Sequence, residues 1–243
     1  MSSTKTNPGR YFEDFQLGEE IVHATPRTVT AGDVAVYQSL FGPRFALASA
    51  DTFAQSLGYE RAPVDDLVTF HVVFGKTVPD VSLNAIANLG YAEGRFGAPV
   101  FPGDTLQSRS EVIGLRQTRD GKTGVVYVRT TGTNQRGEVV LTYARWVMVR
   151  KRDPESPAPE PVVPELARAV EPGHLHVPYR KGTDYDLALS GSVDLWEDYE
   201  VGEKIDHVDG MTIEESEHMT ACRLFQNTAK VHFNQYFERD GRF

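Results

Sequence analysis

The chain has 243 residues, 40% of them hydrophobic and 24% charged, which is enough apolar material to bury a core. Its 34 acidic against 25 basic residues leave a formal net charge of −9, which argues against the basic stripe of a nucleic-acid surface. No stretch approaches the ~18 uninterrupted apolar residues of a membrane span, and the polar segment 1–10 lacks the apolar run of a secretory signal.

In chain order, residues 19–30 alternate well enough for a strand, and Ala31 to Phe41 read as a short helix stopped by Gly42-Pro43. Asp65 and Asp66 are placed to cap a helix with Leu67, Phe70, Phe74 and Val78 at i, i+3, i+7 and i+11 before Pro79. That is the one helix apolar enough to be a core helix. His71 lies near its stripe and reads as a core histidine rather than a ligand. Four strand-like runs follow, at 83–96, 105–116, 123–133 and 139–150. Arg119-Asp120-Gly121-Lys122 and Asn134-Gln135-Arg136-Gly137 are the turns between the last three. One buried helix followed by an antiparallel meander predicts an α+β architecture, a sheet wrapped around a helix.

Lys151 to Pro161 is proline-rich and opens an extended linker over 151–192. His174 and His176 sit in it without cysteines or a carboxylate cluster nearby, so no metal site is expected. Beyond the linker the beginning of the chain returns. Phe12-Glu13-Asp14-Phe15-Gln16-Leu17-Gly18-Glu19-Glu20-Ile21 recurs as Trp196-Glu197-Asp198-Tyr199-Glu200-Val201-Gly202-Glu203-Lys204-Ile205, an offset of 184 residues. Without a gap the same offset pairs His23 with His207, Thr28 with Thr212, Leu40-Phe41 with Leu224-Phe225, and Phe53 with Phe237. We read a duplication: a first unit over 1–150, the linker, and a second unit over 193–243 that has no counterpart of the core helix or of the four strands. Either the natural chain continues for roughly another ninety residues or another chain supplies the missing sheet, the first being expected.

The second unit carries the candidate site. Thr212 to His218 is a helix start, a hydroxyl with a carboxylate following, and Leu224 to Asn234 closes the run with Asn227 and His232. Those two are five apart, roughly 140° around a helix, so they act together only if the chain leaves the helix between them. The alternative is a helix end with a solvated histidine. The offset places Pro43 opposite Asn227 and Ala48 opposite His232, so both side chains belong to one copy alone. The lone cysteine, Cys222, excludes an internal disulfide framework, fits a reducing cytoplasm and reads as a packed small hydrophobe.

Arg95 to Leu106 (Arg-Phe-Gly-Ala-Pro-Val-Phe-Pro-Gly-Asp-Thr-Leu) resembles the strand-turn-strand string of MaoC-like hot-dog proteins, R-specific enoyl-CoA hydratases and dehydratases. The duplication resembles the double hot-dog members, and the Tyr11–Gly18 and Asn227–Asn234 lines are similar to mesaconyl-CoA (2-methylfumaryl-CoA) hydratases, also called β-methylmalyl-CoA dehydratases. The resemblance implies a tandem hot-dog with a degenerate, non-catalytic first copy and an incomplete second one. It implies a hydro-lyase acting on an α,β-unsaturated, branched dicarboxylic acyl-CoA, with no cofactor beyond the CoA of the substrate, and a cytoplasmic homodimer or larger homo-oligomer. The family loop reads Asp, any, Asn, Pro, any, His; here Asn227, Thr228, Ala229, Lys230, Val231 and His232 stand there, and the histidine alone is kept.

Adding water to such an acyl group needs a base for the water, an acid for Cα and donors for the enolate oxygen. His232 suits the first two roles, and Asn227, which does not exchange a proton at neutral pH, can hold the water. The resemblance implies that the enolate oxygen is held by backbone N–H groups of a second core helix, for which the chain offers no residue. The free carboxylate of the acyl group calls for a cation, and Arg44, Arg95, Arg223 and Lys230 are the candidates. Two other readings stay open. A thioesterase would release free thiol, and a non-catalytic acyl-binding subunit would bind CoA esters without turnover.

Overall fold

The computed structural model describes residues 5–175, 185–208 and 210–239. Five antiparallel strands form one sheet in the order β1-β3-β4-β5-β2: β1 Glu20–Thr28, β2 Ala85–Phe96, β3 Thr105–Gln117, β4 Thr123–Thr133 and β5 Val139–Arg150. Between β1 and β2 lie α1 (Ala31–Phe41), two short helices α2 (Ala46–Ser49) and α3 (Asp51–Ser56), and the core helix α4 (Asp66–Thr77). The sheet curls around α4, which packs on β1, β3 and β5. The predicted α+β hot-dog architecture is present, and the strand bounds agree with the alternation pattern to within a residue or two.

Local chemistry explains the ends of these elements. The Thr30 hydroxyl accepts from the Asp33 amide at 3.1 Å, while Asp33 accepts from the Thr30 amide at 2.8 Å, a reciprocal cap that starts α1. Gly42 ends the helix in the left-handed conformation at φ +56°, which glycine adopts without a Cβ penalty. Asp65 caps α4 by accepting from the Leu67 amide at 2.8 Å, as its position predicts.

The face of α4 differs from the predicted stripe. Leu67 is exposed, whereas Val68, Thr69, Val72, Val73, Gly75, Lys76 and Thr77 are buried, because the curled sheet and a second helix enclose α4 on several sides. Nor does Pro79 end the winding: Val78–Ser82 continue as a π-helical turn. Two apolar clusters result. One centres on α4 with Val29, Tyr37, Leu106 and Tyr143; the other joins Phe12, Phe15 and Ile21 to Val112, Val126 and Val147. Within this core Arg145 is fully buried. Its Nη2 donates to Thr77 Oγ1 at 2.7 Å and its guanidinium lies 4.6 Å from the Phe74 ring, tying β5 to the end of α4.

The proline-rich segment lies against the sheet. Buried Lys151 donates to Gln117 Oε1 and to the carbonyls of Pro154 and Ser156 at 2.7–3.0 Å, and Val162 exchanges two backbone hydrogen bonds with Leu115. Of the two linker histidines, His174 is exposed in a short 3₁₀ turn, and His176 lies outside the described residues. Among the described residues no three His, Cys, Asp or Glu side chains come together as a metal-binding group. No described helix is long and apolar enough to cross a membrane.

The repeated sequence recurs in part as repeated structure: the turns and helices return, whereas residues 204–208 and 210–212, which match β1, form no strand. Turns at Phe12–Asp14 and Trp196–Asp198 match at the offset of 184; α5 (Leu187–Ser190) lies within the linker, and α6 (Glu215–Leu224) and α7 (Gln235–Glu238) follow it. At that offset α6 takes the place of α1, the 3₁₀ turn Lys230–His232 that of α2, and α7 that of α3. The caps recur too: Asp14 accepts from the Tyr11 amide at 2.9 Å and Asp198 from the Leu195 amide at 2.7 Å. The environments differ. Phe12 is 2% exposed and its counterpart Trp196 91%, because the sheet covers the first and none of the described residues covers the second.

Helix α6 packs against α1, and the residue after it, Phe225, enters the α4 cluster between Tyr37 and His71. The approach to α4 is close enough that a Cβ on Gly75 would overlap the Phe225 carbonyl oxygen. Alanine normally favours a helix over glycine by about 1 kcal/mol. Here overpacking of about 1–3 kcal/mol opposes that gain, so Gly75→Ala is expected to lower the urea midpoint of unfolding. A variant more stable than the wild type would show that Phe225 does not rest on α4.

Candidate active site

The loop after α6 is built by leaving the helix early. Phe225 ends α6, Gln226 takes a positive φ of +52°, and the Asn227 amide donates to the Cys222 carbonyl at 2.9 Å. The Asn227 side chain then turns the chain again, its Oδ1 accepting from the Ala229 amide at 3.1 Å. A single 3₁₀ turn follows and ends on His232. The break that Asn227 and His232 need is therefore present.

The two side chains do not meet in one chamber. His232 lines a cavity of about 500 Å³ with Glu215, His218, Met219, Glu238 and Arg239. Asn227 lines a second, of about 470 Å³, with Ala24, Lys76, Cys222, Arg223 and Gln226. Phe233 borders both, so the cavities adjoin.

His232 has a neighbour that the sequence reading passed over. The His218 ring lies 5.7 Å from it, centroid to centroid, and the His218 Nε2 is 3.7 Å from the Cys222 Sγ. Surrounding protein lowers the His232 pKa by desolvating its ring, and the His218 charge adds to that. The signal was available: His218 falls opposite Val34 at the repeat offset, so it too belongs to one copy. Burial pushes the Cys222 thiol up, in keeping with a packed side chain. His71 stacks on Phe225 at 4.5 Å and is held below the usual histidine range by burial, a core histidine as expected.

The four candidate cations scatter. Arg44 is exposed in the loop between α1 and α2. Arg95 borders a separate cavity of about 370 Å³ with Phe96, Val139 and Thr142. Lys230 is exposed, with its Nζ 5.0 Å from the Phe237 ring centroid. Arg223 alone of the four shares a cavity with Asn227. That cavity holds another cation missed in the sequence, Lys76, which a helical pattern of apolar residues conceals.

A helix held in a curled antiparallel sheet, followed by a second copy of its opening turns and helices, defines a hot-dog protein with a repeated unit. A family model for mesaconyl-CoA hydratase matches residues 2–160. The chain is 69% identical over 242 residues to a β-methylmalyl-CoA dehydratase of Chloroflexus aurantiacus, covering 99% of this chain and 69% of that protein. It is 62% identical over 239 residues to a mesaconyl-CoA hydratase of Cereibacter sphaeroides, covering 98% and 70%. A solved MaoC domain protein dehydratase structure from Chloroflexus aurantiacus superposes with a TM-score of 0.96 at 69% identity, over 99% of this chain and 69% of that one. A Mycobacterium tuberculosis protein described as a double hot-dog fold matches at a TM-score of 0.67 and 23% identity, over 94% and 70%, which speaks to the fold alone. The chain belongs to the mesaconyl-CoA hydratase family.

The His232–His218 contact has a direct readout. In an NMR titration of the histidine ring protons, His232 is expected to change charge below the ordinary ~6.5. Replacing His218 by glutamine removes a like charge from the protonated state, so the midpoint should rise while the part due to burial remains. An unchanged midpoint would mean that the two rings do not sense each other.

Proposed function

We propose that this chain catalyses the reversible hydration of mesaconyl-CoA to β-methylmalyl-CoA. Membership of the family supports the reaction class. The observation that carries the site is His232: it is confined to one of two repeated units, is presented by a loop outside the helix, and borders a cavity large enough for an acyl group.

In the hydration direction His232 takes a proton from water as the water oxygen bonds to Cβ. The π electrons move to Cα and the thioester, and the same imidazolium then protonates Cα; dehydration runs the steps backwards. A histidine held below its usual pKa is neutral at pH 7 and ready to act as the base. Asn227 sets the turn through Ala229. Its Nδ2 hydrogens have no protein acceptor among the described residues, so they are available to hydrogen-bond the part of the acyl group that enters the adjoining cavity.

In this reading residues 1–150 form a copy without catalytic residues that walls the acyl channel, residues 151–192 link the copies, and 193–243 open the catalytic one. The proton transfers need no cofactor beyond the substrate's CoA. A homodimer or larger homo-oligomer in the cytoplasm is the setting this reading assigns to the enzyme.

His232→Ala should cut the rate of mesaconyl-CoA hydration by about 10²- to 10⁴-fold, followed as loss of enoyl-thioester absorbance. A thiol reagent run in parallel should detect no CoA release from the wild type. Wild-type turnover in the variant would remove His232 from the mechanism, and stoichiometric thiol would indicate a thioesterase instead.

A further inference from the structure

The cavity beside Asn227 has an unusual charge pattern for a protein of net charge −9. Among its eleven lining residues are two cations, Lys76 and Arg223, and no Asp or Glu. Lys76 is 4% exposed, and its Nζ donates to the Gln226 side-chain oxygen. It has no carboxylate partner among the described residues. A third cation, Arg27, stands close by and is already engaged, its Nη2 with Asp33 at 2.6 Å and its Nη1 with the Leu224 carbonyl. Burial, with Arg27 adding to it, lowers the Lys76 pKa. The carbonyl end of α6 offsets part of this positive charge. One amide oxygen and a helix terminus still leave a buried ammonium, which has three donors, short of an anion.

We propose that Lys76 and Arg223 form the subsite for the free carboxylate of a dicarboxylic acyl-CoA, an inference that rests on the hydratase reading above. The substrate's own chemistry favours this position. In a 2-methylfumaryl thioester the free carboxylate is bonded to Cβ, the carbon that water attacks. Its anchor must therefore lie next to the proton-transfer group, and Phe233 borders both the Lys76–Arg223 cavity and the His232 cavity. Pairing the carboxylate with two cations also relieves the repulsion that an anion on Cβ would exert on incoming oxygen. The two units divide the work: α4 supplies the buried cation and α6 the exposed one.

The test is calorimetric binding of two unreactive four-carbon thioesters, succinyl-CoA and butyryl-CoA, which differ in the terminal carboxylate. The wild type should bind succinyl-CoA about ten- to a hundredfold more tightly, as one or two charge-assisted hydrogen bonds would give. Arg223→Gln, at an exposed position, should shrink that preference severalfold, and Lys76→Met should bring the two ligands close to parity. Should Lys76→Met fail to fold, Arg223→Gln carries the test alone. Equal binding of both esters by an active wild type would overturn the subsite and leave the hydratase reading in place. An equal loss for both esters in Arg223→Gln would assign the cations to a CoA phosphate and equally overturn it. A preference unchanged in Arg223→Gln would reduce the cluster to a cap for α6. Binding of neither ester would remove the acyl-CoA reading itself.

Discussion

The constraint on which this molecule depends is the contact between the end of α6 and the middle of α4. Gly75 has no side chain, so the Phe225 carbonyl can sit on the helix backbone while its ring fills the gap between Tyr37 and His71. Burying that ring stabilises the contact by on the order of 2–3 kcal/mol before strain and ordering are counted. The contact also fixes where the chain goes next. Gln226 turns back at positive φ, and Asn227 and His232 follow within seven residues of a buried anchor. A loop that begins from a packed aromatic is far better placed than one that hangs from an exposed helix end. Both cavities lie along this junction, one shared by α4 and α6 and the other by α6 and α7.

The duplicated elements follow one backbone plan with different side chains. The caps, the turns at Gly18 and Gly202, and the helix positions recur almost residue for residue, because the hydrogen bonds that make them join near neighbours in the chain. Chemistry enters where the copies differ. Val34, Pro43 and Ala48 are apolar in the first copy, and His218, Asn227 and His232 stand opposite them in the second. Two histidines 5.7 Å apart cannot both be protonated cheaply, and that repulsion adds to burial in favouring the neutral form of His232. Likewise, the cations at Arg27, Lys76 and Arg223 come from three elements of the chain, and only their convergence gives an acidic protein a positive hollow.

Much of the fold was legible in the residues. The strands at 123–133 and 139–150 and the helix at 31–41 lie where alternation, caps and turn glycines placed them, because those signals depend on near neighbours in the chain. The core helix was located by the same means, but its inward face was misread. Leu67 satisfies the helical spacing yet points outward, while Lys76 breaks the apolar pattern and is buried. A helix wrapped by a sheet on one side and met by α6 on another has no single inward stripe, so spacing alone cannot say which residues are covered. The candidate site was legible in part: the repeat offset singled out Asn227 and His232 and, applied once more, would have added His218, the structural neighbour of His232. The four nominated cations show the opposite limit, since side-chain charge carries no information about which cavity a residue borders.

The sequence by itself determined the order of the five strands with α1 and the core helix, the repeat, and the copy that carries the candidate residues, since all of these follow from local periodicity, capping and self-comparison along the chain. Only the tertiary structure decided that Asn227 and His232 face adjoining cavities, that His218 is the neighbour of His232, and that a buried lysine from the first unit shares a hollow with an arginine from the second. The physical reason is distance along the chain. Lys76 and Gln226 are 150 residues apart, and no local pattern records a contact that exists because Phe225 is buried against Gly75.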